Sequence, residues 1–159
     1  MASNPSARNG EPLPVLRWGA KGLGRLAAIV FLDLDNFKWV NDTRGHPAGD
    51  NLLTMSAARI AVCLRANDTV ARLGGDEIVI LLPDPPQEID RMIVVERVRN
   101  SVAAPVEIGG CTFSVTTSPG VARFPLDGRS REELLAKADA AMYQSKTGRN
   151  TFSFADPDA

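Results

Sequence analysis

Arg72-Leu73-Gly74-Gly75-Asp76-Glu77-Ile78 sets a pair of glycines directly before a pair of carboxylates, between two runs that read as strands. Adjacent glycines accept the positive φ angles of the tightest hairpin turns, so residues 69–73 and 77–82 are expected to pair as antiparallel strands. Asp76 and Glu77 then share the hairpin tip, where neighbouring acids repel and a cation relieves them. Taken alone, such a tip is equally a solvated turn. The run that follows, Ile78-Val79-Ile80-Leu81-Leu82, is wholly apolar and marks a core strand.

A second apolar run lies upstream, Leu26-Ala27-Ala28-Ile29-Val30-Phe31-Leu32, and it ends in Asp33-Leu34-Asp35. A continuous run of this kind suits a strand buried on both faces, and the end of such a strand is where a site is expected. Alternate strand residues point the same way, so Asp33 and Asp35 share a face if the strand continues. Carboxylates from this strand and from the hairpin are hard oxygen ligands suited to Mg²⁺ or Mn²⁺. An ion held in this way commonly completes its shell with a phosphate-bearing substrate.

The 159 residues suffice for one domain with a real core, and the net charge of −1 supplies no basic field for a nucleic acid polymer or a membrane surface. Cys63 and Cys111 stand far apart and read as reduced core thiols. No apolar run approaches a bilayer span and no signal peptide is recognisable, which points to the cytoplasm. Residues 1–25 are expected to be a flexible segment, 26–155 a single domain and 156–159 a disordered tail. Within the domain the reading is a strand to residue 33, a short helix over 37–42, and a break at Gly45-His46-Pro47. A longer helix starting at Ala48 or Asp50 carries Leu53, Ala57, Ile60 and Leu64 inward. After the hairpin come a helix over 88–102, with Ile89, Met92, Val95 and Val98 or Val102 inward, and one alternating strand over 111–117 continuing through Val121 and Ala122. A helix capped by Ser130 and Glu133 and a short strand over 151–154 complete the domain. Trp39 and Tyr143 read as packing residues, and the lone His46 receives no chemical role. The fold class is α+β, an antiparallel-rich, ferredoxin-like or palm-type sheet flanked by helices.

Four segments, in order, carry a family resemblance. They are Phe31 to Lys38 with Asn41-Asp42; Gly45-His46 with Gly49-Asp50; Arg72 to Ile78; and Ala138 to Tyr143 with Lys146 and Gly148-Arg149-Asn150. Together they resemble the GGDEF family, the diguanylate cyclase domains that join two GTP molecules into cyclic di-GMP. The resemblance implies a nucleotidyl cyclase-like fold and a metal site of Asp33, Asp76 and the Leu34 carbonyl, holding two Mg²⁺ or Mn²⁺ ions per active site. It makes Glu77 a second acid beside the metals, acting as ligand or proton acceptor. It sets Asn41 and Asp50 at the guanine edge, where a carboxylate accepts from N1–H and N2–H₂, which adenine does not offer. It assigns the terminal phosphates to the backbone amides of Phe37 and Lys38 and to the side chains of Lys146 and Arg149. Without the resemblance, those two cations are ordinary residues at a helix C-terminus. Because each domain holds one GTP, it also implies catalysis by a homodimer.

Arg65-Ala66-Asn67-Asp68 forms an RxxD shortly before the hairpin glycines, and at that place it resembles the family's inhibitory product site. Guanidinium grips phosphate or a guanine edge and carboxylate takes N1–H and N2–H₂, although Asp68 read alone caps a turn. The chain departs from the family at Ile78, where phenylalanine is usual, at Pro119, where isoleucine is common, and in the spacing from Lys146 to Arg149, which is one residue short. No Asp-x-Leu-Thr-Gly-Leu segment precedes Leu26. Two functions are consistent with this set: a diguanylate cyclase inhibited by its product, and a weak or inactive GGDEF-like receptor for GTP or cyclic di-GMP.

Overall fold

Strand β1 (Ala27–Asp33) runs through the middle of the protein, and every residue before Asp33 is buried. In the computed structural model, which describes residues 26–83, 87–148 and 152–158, β1 is flanked on both sides by antiparallel partners. Ala27 opposes Pro83 of β3 (Glu77–Pro83) and Phe124 of β6 (Gly120–Phe124). With β2 (Thr69–Gly74) outside β3 and β7 (Ser153–Phe154) beside β6, the five-stranded order is β2-β3-β1-β6-β7. Among the described strand pairs, only β6 and β7 run parallel.

Strand alternation divides the core. Ala28, Val30 and Leu32 join Ile78 and Ile80 beneath α2 (His46–Cys63) and α3 (Glu88–Ala103), which contribute Leu52, Ile60, Val95 and Val98. Ile29 and Phe31 face the other way, with Val79 and Ala122, against Leu134, Ala138, Ala141 and Met142 of α4 (Arg131–Gly148). The short α1 (Phe37–Arg44) links β1 to α2 through Gly45, whose φ of 88° ends one helix and begins the next. Ser130 and Glu133 cap α4 reciprocally: the Glu133 amide donates to Ser130 Oγ at 3.2 Å and the Ser130 amide to Glu133 Oε2 at 3.2 Å.

Several expectations require correction. The glycine pair with both φ angles positive is Gly109-Gly110, at 58° and 78°, and it joins two strands, β4 (Val106–Ile108) and β5 (Cys111–Phe113), of which the first was not expected. At the Gly74-Gly75 hairpin only Gly75 turns positive, at 52°; Gly74 still pairs with Glu77, after a bulge that follows Arg72. The strand expected over 111–122 is broken, because residues 114–119 leave the ladder and Pro119 immediately precedes β6, where its missing N–H costs nothing. In α3 the inward position one turn before Val95 belongs to Arg91, and Met92 is exposed. Trp39 and Tyr143 are largely exposed, at 56% and 72%, although the Trp39 ring meets Phe113 edge-on with centroids 6.5 Å apart. Cys63 lies in the core, whereas Cys111 is only partly covered. The expectation for residues 1–25 lies outside the described residues.

At Gly120 the backbone of α4 lies close against the sheet. A Cβ there would fall 2.1 Å from the Ala138 carbonyl oxygen and 2.2 Å from the Met142 amide nitrogen, both backbone atoms. Gly120→Ala therefore has to push the helix off β6, and overpacking of this kind costs about 1–3 kcal/mol or more. Urea unfolding is expected to show a lower midpoint at unchanged slope; an unaltered midpoint contradicts the close approach.

Candidate active site at the end of β1

The pairing of β1 with β3 ends on Asp33 opposite Glu77, so the end of the central strand lies beside the hairpin tip. Alternation puts Asp33 on the same face as Ile29 and Phe31, the face covered by α4. From the last turn of α4, Lys146 reaches across and its Nζ donates to Asp33 Oδ2 at 2.7 Å. Beyond Asp33 the chain leaves the sheet under control of the segment between β5 and β6. Thr117 Oγ1 donates to the Asp33 carbonyl at 2.7 Å, and Leu34 bridges Thr117. Thr116 Oγ1 donates to Asp35 Oδ2 at 2.7 Å, and its carbonyl accepts from the Asp35 amide at 2.8 Å. Asn36 then adopts the left-handed conformation, φ 64°, and α1 begins at Phe37 with no side chain capping its N-terminus. The Phe37 amide makes a long bond of 3.3 Å to the Leu34 carbonyl, and the amides that follow it in the first turn keep donor capacity for an anion.

These residues surround an open cavity of about 520 Å³. Asp33, Leu34, Asp76, Phe37, Lys38 and Lys146, all selected from the sequence, line it together. Asp35, Asn36, Thr116 and Ser118 complete the wall. The two hydroxyl residues were missed, since nothing in a polar stretch between strands distinguishes them from loop residues. Glu77 stands exposed at the strand end rather than in the lining.

The site concentrates negative charge. Burial pushes the Asp76 carboxyl above the usual carboxylate range, and repulsion from Asp33 and Asp35 adds to this, against a backbone hydrogen bond and the Lys146 charge. Glu77 is also raised, by burial and then by Asp139, Asp76 and Asp33. For Lys146, burial acts downward, but the hydrogen bond to Asp33 and the charges of Asp33, Asp35 and Asp76 outweigh it and raise the ammonium. Among the described residues, Asp33 Oδ1 is buried without a hydrogen-bond partner, an uncommon state for a carboxylate oxygen.

No group of three or more His, Cys, Asp or Glu side chains in a metal-holding arrangement occurs among the described residues. The available donors are two carboxylates, Asp33 and Asp76, and the Leu34 carbonyl, which already accepts a long bond of 3.3 Å from the Phe37 amide. All are hard oxygens, one of them unpartnered, and so they fit Mg²⁺ or Mn²⁺ with phosphate and water supplying the remaining positions.

Asn41 and Asp50 lie away from the cavity lining. Asn41 follows Phe37 and Lys38 by four and three residues and therefore continues their face of α1. Its side chain fits against Gly49, where a Cβ would fall 1.8 Å from Asn41 Oδ1, and that oxygen is buried without a partner among the described residues. Asp50, the next residue, is exposed. The Arg65–Asp68 pair is elsewhere and is closed on itself. Asp68 Oδ2 accepts from the Arg65 amide at 2.8 Å, and Asp68 Oδ1 meets the guanidinium at 3.4 Å. The Asp68 side chain is 0% exposed and that of Arg65 49%. Arg149 lies outside the described residues.

Residues 19–151 match the family model described as diguanylate cyclase, GGDEF domain. The chain is 44% identical over 131 residues to the bifunctional diguanylate cyclase/cyclic di-GMP phosphodiesterase MucR of Pseudomonas aeruginosa, a match covering 82% of this chain and 19% of that protein. It thus spans about a fifth of that relative's length. Among solved structures, the GGDEF domain of TpbB from the same organism superposes with a TM-score of 0.80 at 37% identity, covering 84% of this chain and 78% of that one. The GGDEF domain of DgcB from Caulobacter crescentus, in complex with c-di-GMP, gives 0.74 at 27% identity, covering 84% and 79%. No described helix is long and apolar enough to cross a membrane.

A carboxyl raised by folding binds its proton more tightly in the folded than in the unfolded state. Its contribution favours folding in acid and is lost as pH rises through the folded value. Asp76→Asn removes this penalty. In EDTA the variant is expected to be more stable than the parent at pH 7, by less than about 1 kcal/mol because solvent screens a half-exposed group. The gain should vanish towards pH 4. Urea midpoints at both values decide, and a less stable variant at pH 7 contradicts the charge crowding.

Proposed function

The chain belongs to the GGDEF family of diguanylate cyclase domains, and from that premise we propose that it condenses two GTP molecules into cyclic di-GMP, releasing two pyrophosphates. The observation that carries the proposal is the convergence of Asp33, Asp76, Lys146 and the start of α1 on one cavity. Synthesis requires the 3′-hydroxyl of one GTP to attack the α-phosphorus of another. Asp33, Asp76 and the Leu34 carbonyl would hold two Mg²⁺ or Mn²⁺ ions, which supply charge stabilisation at the attacking and leaving oxygens. The amides of Phe37 and Lys38 receive the terminal phosphates at the uncapped helix start, and Lys146 with Arg149 neutralises them. Glu77, whose carboxyl is raised, is the proton acceptor for the attacking hydroxyl. Asn41 and Asp50 select guanine, with Gly49 letting the asparagine lie against the backbone. Since each domain binds one GTP, two copies must face each other, and the active species is a homodimer.

Product inhibition falls to Arg65, whose half-exposed guanidinium borders a separate cavity of about 530 Å³ with Ala66, Asn67 and Pro83. In this reading the buried Asp68 orients the arginine. The structure of the DgcB domain with c-di-GMP supports product binding by this fold.

The test is to incubate purified protein with GTP and Mg²⁺ or Mn²⁺ across a range of protein concentrations. Cyclic di-GMP is expected, with specific activity rising as the protein dimerises. Asp76→Ala should lower it by at least roughly a hundredfold, and Arg65→Ala should relieve inhibition by added product. GTP binding without turnover at every concentration overturns the cyclase reading in favour of a receptor. Unchanged inhibition in Arg65→Ala removes the arginine from the product site.

A further inference from the structure

Lys146 and Asp33 are 113 residues apart in sequence, and their contact is the direct bond between α4 and the end of β1 inside the cavity. The bond uses Asp33 Oδ2, at 2.7 Å, while Oδ1 of the same carboxylate is buried without a partner among the described residues. Asp76 shares the cavity and forms no salt bridge among the described residues, and Asp35 is engaged by Thr116. The ammonium therefore stands on a carboxylate that the proposed function assigns to a divalent ion. Whichever oxygen of Asp33 a divalent ion takes, an ammonium held on the same carboxylate lies close beside it, and the like charges repel. The lysine has room to leave, because its side chain is 37% exposed on a four-carbon stem.

We propose that Lys146 is a built-in stand-in for the metal, which the divalent ion must displace from Asp33 and which then transfers to the nucleotide phosphates. This inference rests on the metal–GTP reading above. Without nucleotide, the ion competes with an internal cation and binds weakly. With nucleotide present, the displaced ammonium gains a phosphate partner, so metal and nucleotide each strengthen the binding of the other. The device also keeps the two carboxylates from standing uncompensated in the empty cavity.

The experiment measures Mn²⁺ affinity by electron paramagnetic resonance, with and without a GTP analogue whose α–β bridging oxygen is replaced by methylene. Lys146→Met is expected to bind Mn²⁺ about tenfold more tightly than the parent when nucleotide is absent, and no more tightly when the analogue is bound. Lys146→Gln serves as a second replacement and should behave alike. Equal tightening in both states shows that the lysine never leaves Asp33, and unchanged affinity without nucleotide shows that it does not compete; either overturns the exchange. Asp33→Asn in the parent separates the two levels. If it abolishes Mn²⁺ binding while Lys146→Met is silent, only the exchange fails. If it leaves Mn²⁺ binding intact, the metal site is elsewhere and both readings fail.

Discussion

The register between β1 and β3 is the constraint on which the site depends. These strands pair without interruption from Ala27 opposite Pro83 to Asp33 opposite Glu77. A slip of one residue would turn Asp33 towards α2 and α3 and expose Ile29 and Phe31 to the wrong face, so the burial of both faces of β1 fixes the pairing. With it fixed, the hairpin tip and the strand end meet, and α4, packed on the second face, brings Lys146 to the same point. The geometry of the cavity is thus a consequence of core packing. Gly120 belongs to the same logic, since the close seat of α4 on β6 decides how far along β1 its last turn reaches.

A site assembled in this way carries an electrostatic cost. Asp33, Asp35 and Asp76 face one cavity, and the raised Asp76 and Glu77 carboxyls and the raised Lys146 ammonium are three expressions of one imbalance. Crowded acids held against their preference characterise sites that await a cation, and their stability is sacrificed for function. Lys146 answers this imbalance only in part: one oxygen of Asp33 is satisfied and, among the described residues, the other is not.

The sequence made the centre of the fold legible because a strand buried on both faces writes itself as an unbroken apolar run, and both β1 and β3 do so. It was less informative where short elements serve the site. The segment between β5 and β6 alternates like a strand, yet Thr116 and Thr117 leave the ladder to hold Asp35 and the Asp33 carbonyl, a tertiary demand with no local signature. The rule of paired glycines was sound, but it applied at Gly109-Gly110, where a three-residue strand precedes the turn, rather than at Gly74-Gly75, where a bulge takes up the twist. Arg91 rather than Met92 takes the inward place because positions three and four before Val95 both lie one helical turn away, and periodicity alone does not choose between them. Asp33, Leu34, Phe37, Lys38, Asp76 and Lys146, which the family resemblance singled out, line one cavity. It pointed Lys146 towards phosphate, and only the folded chain reveals its carboxylate partner.

The proposed metal–nucleotide complex lies between the end of β1 and the hairpin tip. Its most direct test is the anomalous difference density of crystals grown with Mn²⁺ and a non-reactive GTP analogue. Mn²⁺ peaks are expected between Asp33, the Leu34 carbonyl and Asp76, with the nucleotide phosphates at the start of α1. Peaks elsewhere on the protein, or an ordered nucleotide with no peak at Asp33, would contradict it.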